Sequence, residues 1–521
     1  MSSKYLPSPS QTGLWLLCLA WLLPGLIGHA PWKGGDGAHF VQLWLWLQDD
    51  SAWAHQAALP PLYFWTARAT AWLTSPVLEL ASGARLASGL FIALALFFVA
   101  RTARLLYGAE AGWAAALTLL GCMGLLVRGH ELNAATALFA AAAILLYGLA
   151  SLPQPRHGGI ALGVGAGLMV LAGGVVEAGL LLLLAGVLTL WLEDDRPAAS
   201  RRNWMVGTGI ALAVTAGWLG VAQLQGIPVE SALNLNRWLA APLRDVAYYP
   251  ALLGWYAWPA WPLAAWALYR QRRHWRTPGV LVPTGALAVL LGLYACDAFP
   301  AEEQGLILLL PLALLGAAGV LTLRRGAANA LLWFGVMLFG FIGLVFWVYW
   351  SAHDLGSPAR LAARLTRLGL THVGELRPWA LLLGAVVTVI WIVFLTRVSR
   401  APLRPILVWT AGMTFIWALL MALFQAPLDR RLSYASVADE LVARVPPGAC
   451  IQTYQIRPQQ RLLLAYHSGY LLAPADVGCG WLLTETRRRE VEPNLADEWV
   501  KQWEGARPGD RADRFHLYAR P

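Results

Sequence analysis

The sequence predicts a polytopic α-helical membrane protein that ends in a small α/β domain. Three observations predict it. Of 521 residues, 58% are hydrophobic and 13% charged, against about 25% charged in a soluble domain. Apolar runs recur between residues 12 and 425, each near the roughly 20 residues that cross a hydrocarbon core about 30 Å thick. Arginines gather in every second short loop between these runs, which is how a multi-spanning chain sets its orientation. The net charge of +10 is therefore a topology signal, and no nucleic-acid partner is expected.

Taken in order, the runs give about 13 spans, near residues 12–30, 84–101, 111–128, 133–151, 159–176, 178–192, 204–222, 247–269, 279–296, 305–323, 329–350, 379–396 and 405–425. The first run has the length of a signal peptide, but only Lys4 precedes it and Leu26–Ala30 is a poor cleavage site; a retained helix is expected. Arg101 and Arg104, Arg156, Arg196 to Arg202, Arg270 to Arg276, Arg324 and Arg325, and Arg397 to Arg404 follow the even-numbered spans. Their side is cytoplasmic by the positive-inside rule. The odd span count then places the N-terminus inside and the tail outside. Span interiors are nearly free of charge, which disfavours an ion-coupled transporter. Most of the 28 tryptophans read as interfacial belts.

Three outward segments, 31–83, 223–246 and 351–378, are too long for turns, and their apolar spacing suggests helices lying in the interface. Such helices can roof a cavity open to both water and lipid. From Ser433 the chain changes character. Ser433 to Arg444 reads as a capped amphipathic helix ended by Pro446-Pro447-Gly448. Cys450 to Tyr454, Trp481 to Thr484 and Arg514 to Arg520 read as strands, and Pro458 to His467 as a further helix. The division expected is a membrane domain over 1–428 and an outer α/β domain over 429–521. Of five cysteines, only Cys450 and Cys479 fall in that oxidising outer tail, and a disulfide between them is expected.

Chemistry centres on Trp32-Lys33-Gly34-Gly35-Asp36-Gly37-Ala38-His39, just beyond the first span, and on Leu59-Pro60-Pro61-Leu62-Tyr63-Phe64-Trp65 downstream. The glycines let the backbone around Asp36 turn tightly against a ligand. This pattern resembles the first external loop of the C-type (GT-C) membrane glycosyltransferases, of the aminoarabinose transferase and protein O-mannosyltransferase group. Arg128-Gly129-His130-Glu131-Leu132-Asn133 is similar to that group's second acidic loop. Counted from Arg128, the usual acidic position falls on Asn133, while the nearest carboxylate is Glu131. Tyr248 to Pro259 is similar to its aromatic-proline span, with Tyr249 facing the cavity.

The resemblance implies a bacterial inner-membrane enzyme that moves a sugar from a polyprenyl-phosphate donor to a lipid, glycan or protein acceptor outside. Its partners would be membrane lipids, that donor and the acceptor, and it would act as a monomer. Asp36 and Glu131 would be catalytic. His39, His55, Pro60, Pro61, Tyr63, Asn133 and Tyr249 would line the cavity. The group's Glu-Lys before Pro-Pro reads Ala58-Leu59 here, and its later Lys-Gly reads Gly173-Gly174. Phosphate binding would then fall to Lys33, Arg68, Arg128, Arg237 or Arg244. A divalent metal held by Asp36 with His39 and His55 stays open, because the group's Glu ligand is absent. Two other readings also stay open: a lipid or small-molecule carrier, and a non-catalytic envelope scaffold.

Overall fold

Glycine and proline decide where the apolar runs become helices. The computed structural model describes residues 11–48, 60–154, 157–191, 197–239, 247–297, 300–367, 377–399, 401–474, 478–487, 495, 498–510 and 512–520. The run expected as one span over 111–128 is two helices, Ala111–Leu120 and Met123–Arg128, parted at Gly121-Cys122. The run over 247–269 is likewise Tyr248–Tyr256 and Ala260–Gln271. Pro259 lies in that break, where its missing N–H removes a helical hydrogen bond. The first helix ends at Leu22, short of the expected residue 30. Among the described residues, six helices are long and apolar enough to cross a membrane: Leu80–Tyr107, Pro197–Leu224, Glu302–Leu321, Arg325–Asp354, Pro378–Arg397 and Arg404–Leu432. Six more apolar helices are 10–17 residues long.

The chain divides into two compact units. The first holds residues 1–27, 46–341 and 387–418. The helix Leu306–Leu321 runs through it, buried from Leu306 to Val320. Small residues let backbones touch: a Cβ on Gly148 would lie 2.2 Å from the Leu162 nitrogen, and one on Gly319 2.2 Å from the Leu263 carbonyl oxygen. In a lipid solvent, close packing of this kind drives helix association.

The two ends of this unit differ. At one, Tyr107, Leu149, Pro153, Thr189, Gln271 and Thr277 line a cavity of about 460 Å³, gathering the ends of helices that lead into arginine-bearing loops. Asn203 Nδ2 closes the same end by donating to the carbonyls of Leu152 and Gln154, both at 2.8 Å. At the other end lie the segments 128–134, 234–239, 247–249, 294–297 and 300–305, whose buried polar groups include His130, Asn133, Tyr249, Tyr294 and Asp297.

The second unit holds residues 28–45, 342–386 and 419–521. Its five-stranded sheet is built from β1 (Ile451–Tyr454), β2 (Leu472–Ala473), β3 (Trp481–Arg487), β4 (Val500–Gly505) and β5 (Asp513–Ala519), in the order β2-β1-β3-β5-β4. β1 runs parallel to β2 and β3, while β5 is antiparallel to β3 and β4. The helix Pro458–Ser468 connects the parallel pair β1 and β2, as a parallel connection requires. Ile451 pairs with Trp481, so Cys450 and Cys479 sit at adjacent strand entrances, and they are disulfide-bonded with Cα atoms 5.3 Å apart. Burial pushes the Glu485 carboxyl on β3 up, against the hydrogen bond that Gln460 donates to it and the attraction of Arg457.

Candidate functional site

In the first unit, Pro60 and Pro61 open the helix Pro61–Thr74, where proline's fixed φ suits the first turn. That start delivers Tyr63, fully buried, to the loop after Arg128. The Tyr63 hydroxyl accepts from the Asn133 N–H at 2.9 Å and lies 2.9 Å from Ser88 Oγ. Ser88 in turn donates to the Glu131 carbonyl at 2.7 Å. Asn133 is spent on the same clip: Oδ1 accepts from the Ala135 N–H at 3.0 Å and Nδ2 donates to the Arg128 carbonyl at 3.3 Å. These bonds hold the loop 128–133 so that its charged groups face one way.

Arg128 Nη1 donates to Glu131 Oε2 at 2.9 Å, and Nη2 donates to Glu302 Oε2 at 2.5 Å. Glu302 is the more solvated partner, its side chain 40% exposed against 20% for Glu131. The same short turn, Glu302–Gly305, carries Gln304, whose Oε1 lies 2.9 Å from the Tyr249 hydroxyl. That hydroxyl also lies 2.9 Å from Asp297 Oδ2, and its single proton serves one of them at a time. Asp297 takes both Nε, at 2.9 Å, and Nη2 of Arg237. The Arg237 guanidinium stacks over Trp238 and Tyr294, 4.6 and 5.2 Å from their ring centres. Tyr294 donates to Glu177 Oε1 at 3.4 Å. A polar chain therefore runs from Ser88 through Glu131, Arg128, Glu302, Gln304, Tyr249 and Asp297 to Arg237. Its two arginines already face three carboxylates. Any anion held here must displace one of them.

In the second unit, Asp36 lies in the first turn of the helix Gly35–Gln48 and is only 1% exposed. Its Oδ2 accepts from the Trp32 N–H at 2.7 Å, and an acid at a helix N-terminus is favoured by the dipole. Gly34 has φ +97, a backbone that suits glycine. A Cβ on Gly37 would lie 2.6 Å from the Trp32 carbonyl oxygen and 2.9 Å from Leu463 Cδ1. Asp429 Oδ1 fixes the approach by accepting from the Ala30 N–H at 3.0 Å and Trp32 Nε1 at 3.1 Å. Gln459 Nε2 donates to the Gly34 carbonyl at 2.8 Å. The glycine loop is thus seated on the tail's own helix Pro458–Ser468.

The expected site residues fall into separate groups. Tyr63, Arg128, Glu131 and Asn133 share one clip, and Tyr249 and Arg237 meet at Asp297. Arg68 lies 4.5 Å over the Trp46 ring. Lys33 Nζ is 3.9 Å from Asp510, and His39 Nδ1 is 2.8 Å from the Gly35 carbonyl. His55 and Arg244 lie outside the described residues. Gly173 has φ +81, a backbone that suits glycine. The sequence analysis singles out none of Glu177, Tyr294, Asp297, Glu302 and Gln304; the acids Asp297, Glu302 and Glu303, close together in the chain, were the available signal. Among the described residues, no group of three His, Cys, Asp or Glu side chains fits a metal ion. Asp36 accepts from the Trp32 N–H and Glu131 from Arg128.

The fold is one already seen in a solved structure. The chain is similar to the crystal structure of ArnT, an aminoarabinose transferase, from Cupriavidus metallidurans bound to undecaprenyl phosphate, with TM-score 0.69 and 15% identity over 98% of each chain. It is similar to the apo state of that protein with TM-score 0.68 and 14% identity, over 97% of this chain and 98% of that one. The archaeal oligosaccharyltransferase AglB from Archaeoglobus fulgidus aligns with TM-score 0.45 and 10% identity over 91% of this chain and 69% of that one, too low a score to define a common fold. No protein-family model and no curated protein matches the chain. At these identities the likeness to ArnT is one of fold.

Proposed function

We propose that this protein is an inner-membrane glycosyltransferase that moves a sugar from a polyprenyl-phosphate donor to an envelope acceptor, a lipid A, glycan or protein group, on the outer side. The observation that carries the reading is the fold, shared along nearly the whole chain with an ArnT that binds undecaprenyl phosphate. The buried Asp36 carboxylate supports it.

In this reading the twelve apolar helices and the broken pair Tyr248–Gln271 make about 13 crossings. The N-terminus is cytoplasmic, the C-terminus periplasmic, and the chain acts as a monomer. Residues 1–428 form the catalytic membrane domain and 429–521 the periplasmic domain. Asp36 orients the acceptor hydroxyl and takes its proton. The acceptor oxygen attacks the anomeric carbon, the bond from that carbon to the phosphate oxygen breaks, and polyprenyl phosphate leaves with inversion. Arg128 turns from the solvated Glu302 to the donor phosphate, which a guanidinium grips bidentately, while Glu131 keeps its aim. Tyr63, Asn133 and Tyr249 shape the donor end in the first unit.

The test is turnover in proteoliposomes supplied with a lipid-linked sugar, alongside mass spectrometry of envelope components from a deletion strain. The expected result is a sugar-sized mass increment that only the intact protein adds. Movement of donor across the bilayer without turnover would favour a carrier instead.

A further inference from the structure

Away from the polar chain, the first unit carries an apolar groove of about 730 Å³ between the helices Gln11–Leu22, Pro378–Arg397 and Arg404–Leu432. Leu17, Ile390, Trp391, Phe394, Leu407 and Phe415 line it. Its walls run from Val387 to Arg397 along one helix and from Leu407 to Ala418 along the next. At the α-helical rise, that is roughly 15 Å, about half of a hydrocarbon core of about 30 Å. The groove is therefore as deep as one leaflet, which suits an acyl chain and leaves a long polyprenyl chain mostly outside.

One mouth is cationic. Arg397 lines it and is exposed. Arg404 stands one helical turn before the lining residue Leu407, on the same face, and its Nε is buried without a hydrogen-bond partner. The helices that form the groove supply no acid among the described residues: residues 378–428 contain no Asp or Glu, and Gln11–Leu22 carries no charge. A cationic mouth above a leaflet-deep apolar groove is complementary to one molecule, a lipid with an anionic headgroup. Charge attraction to the leaflet surface acts in the same direction.

We propose that this groove is a binding site for an anionic phospholipid of the leaflet on the arginine side, with its phosphate against Arg397 and Arg404 and an acyl chain along Trp391 and Phe415. This site is separate from the polar chain and stands whether or not the glycosyltransferase reading holds.

The test uses the full chain in detergent, incubated with phosphatidylglycerol, phosphatidylcholine or undecaprenyl phosphate, and native mass spectrometry to count retained lipids. Phosphatidylglycerol should be retained in preference to phosphatidylcholine. Arg397→Ala with Arg404→Ala should weaken its retention roughly thirtyfold, from the attraction of two arginines. Val387→Trp, at a half-buried position, should narrow the groove and lower retention while insertion and melting temperature stay unchanged. Equal retention of phosphatidylcholine, or unchanged phosphatidylglycerol retention in both variants, would overturn the proposal. So would displacement of phosphatidylglycerol by equimolar undecaprenyl phosphate, which would make the polyprenyl lipid the occupant.

Discussion

Asp36 is almost fully buried and sits among glycines, of which Gly37 packs directly against the Trp32 carbonyl and Leu463. Asp36→Asn keeps an oxygen for the Trp32 N–H, so the fold should survive. Removing the base should lower turnover roughly 10²- to 10⁴-fold. Turnover in proteoliposomes beside a melting curve checks this, and wild-type rates in the variant would take Asp36 out of the chemistry. Arg128 makes a different prediction because two carboxylates compete for it. Arg128→Ala should weaken donor binding roughly tenfold or more, the worth of a charge-assisted hydrogen bond, and Arg128→Lys less. Glu302→Gln, which frees the guanidinium, should tighten donor binding. If that variant binds donor more weakly than wild type, Glu302 positions Arg128 for the donor and does not compete with it.

At the scale of elements, the tail shows how one covalent bond and one surface charge act on a small sheet. The disulfide joins residues 29 apart in sequence, a loop worth about 3–4 kcal/mol on the chain-entropy account. Cys450→Ala with Cys479→Ala should therefore lower the tail's unfolding free energy by a large part of its total. Alkylation without reductant should modify the exposed Cys296 and spare the pair; labelling of Cys450 or Cys479 would contradict the bridge. On β4, Glu504 is held down to about 2 by the hydrogen bond from Lys501 and then that from Arg514. Its folded pKa lies below the ordinary glutamate value of about 4.3. The stability it contributes is complete above that value and is lost as pH falls through about 2. Melts of Glu504→Gln should lie slightly below wild type near neutral pH, the effect being small for so solvated a group, and the two curves should converge in strong acid.

Across the whole molecule, the prediction concerns sidedness. Single cysteines placed at Gln271 and at Gln304 should respond oppositely to a membrane-impermeant thiol reagent in intact cells: the first protected, the second labelled. A reporter fused after Ala519 should read as external. If both cysteines label from the same side, the alternation of arginine loops and the count of about 13 spans fall together.

The sequence by itself determined the membrane class, the grouping of arginine-bearing ends and the turn around Asp36, because these rest on local composition. Hydrophobic run length, loop charge and glycine's backbone freedom act within a few residues of one another. The strands Ile451–Tyr454 and Asp513–Ala519 also coincide with segments of strand character. Val500–Gly505 does not, since Val-Lys-Gln-Trp-Glu-Gly carries charges and a register shift between Lys501 and Trp503, as sheet edges often do. Only the tertiary structure brings the candidate residues of the first unit together. Arg128 meets Glu302 across 174 residues and Arg237 meets Asp297 across 60, and Asn133 proves to be a loop clip while Glu131 faces the arginine. No periodicity encodes these meetings, because which side chains share one end of a helix bundle follows from how the helices pack, and that packing depends on glycines such as Gly148 and Gly319, whose partners are distant in the chain.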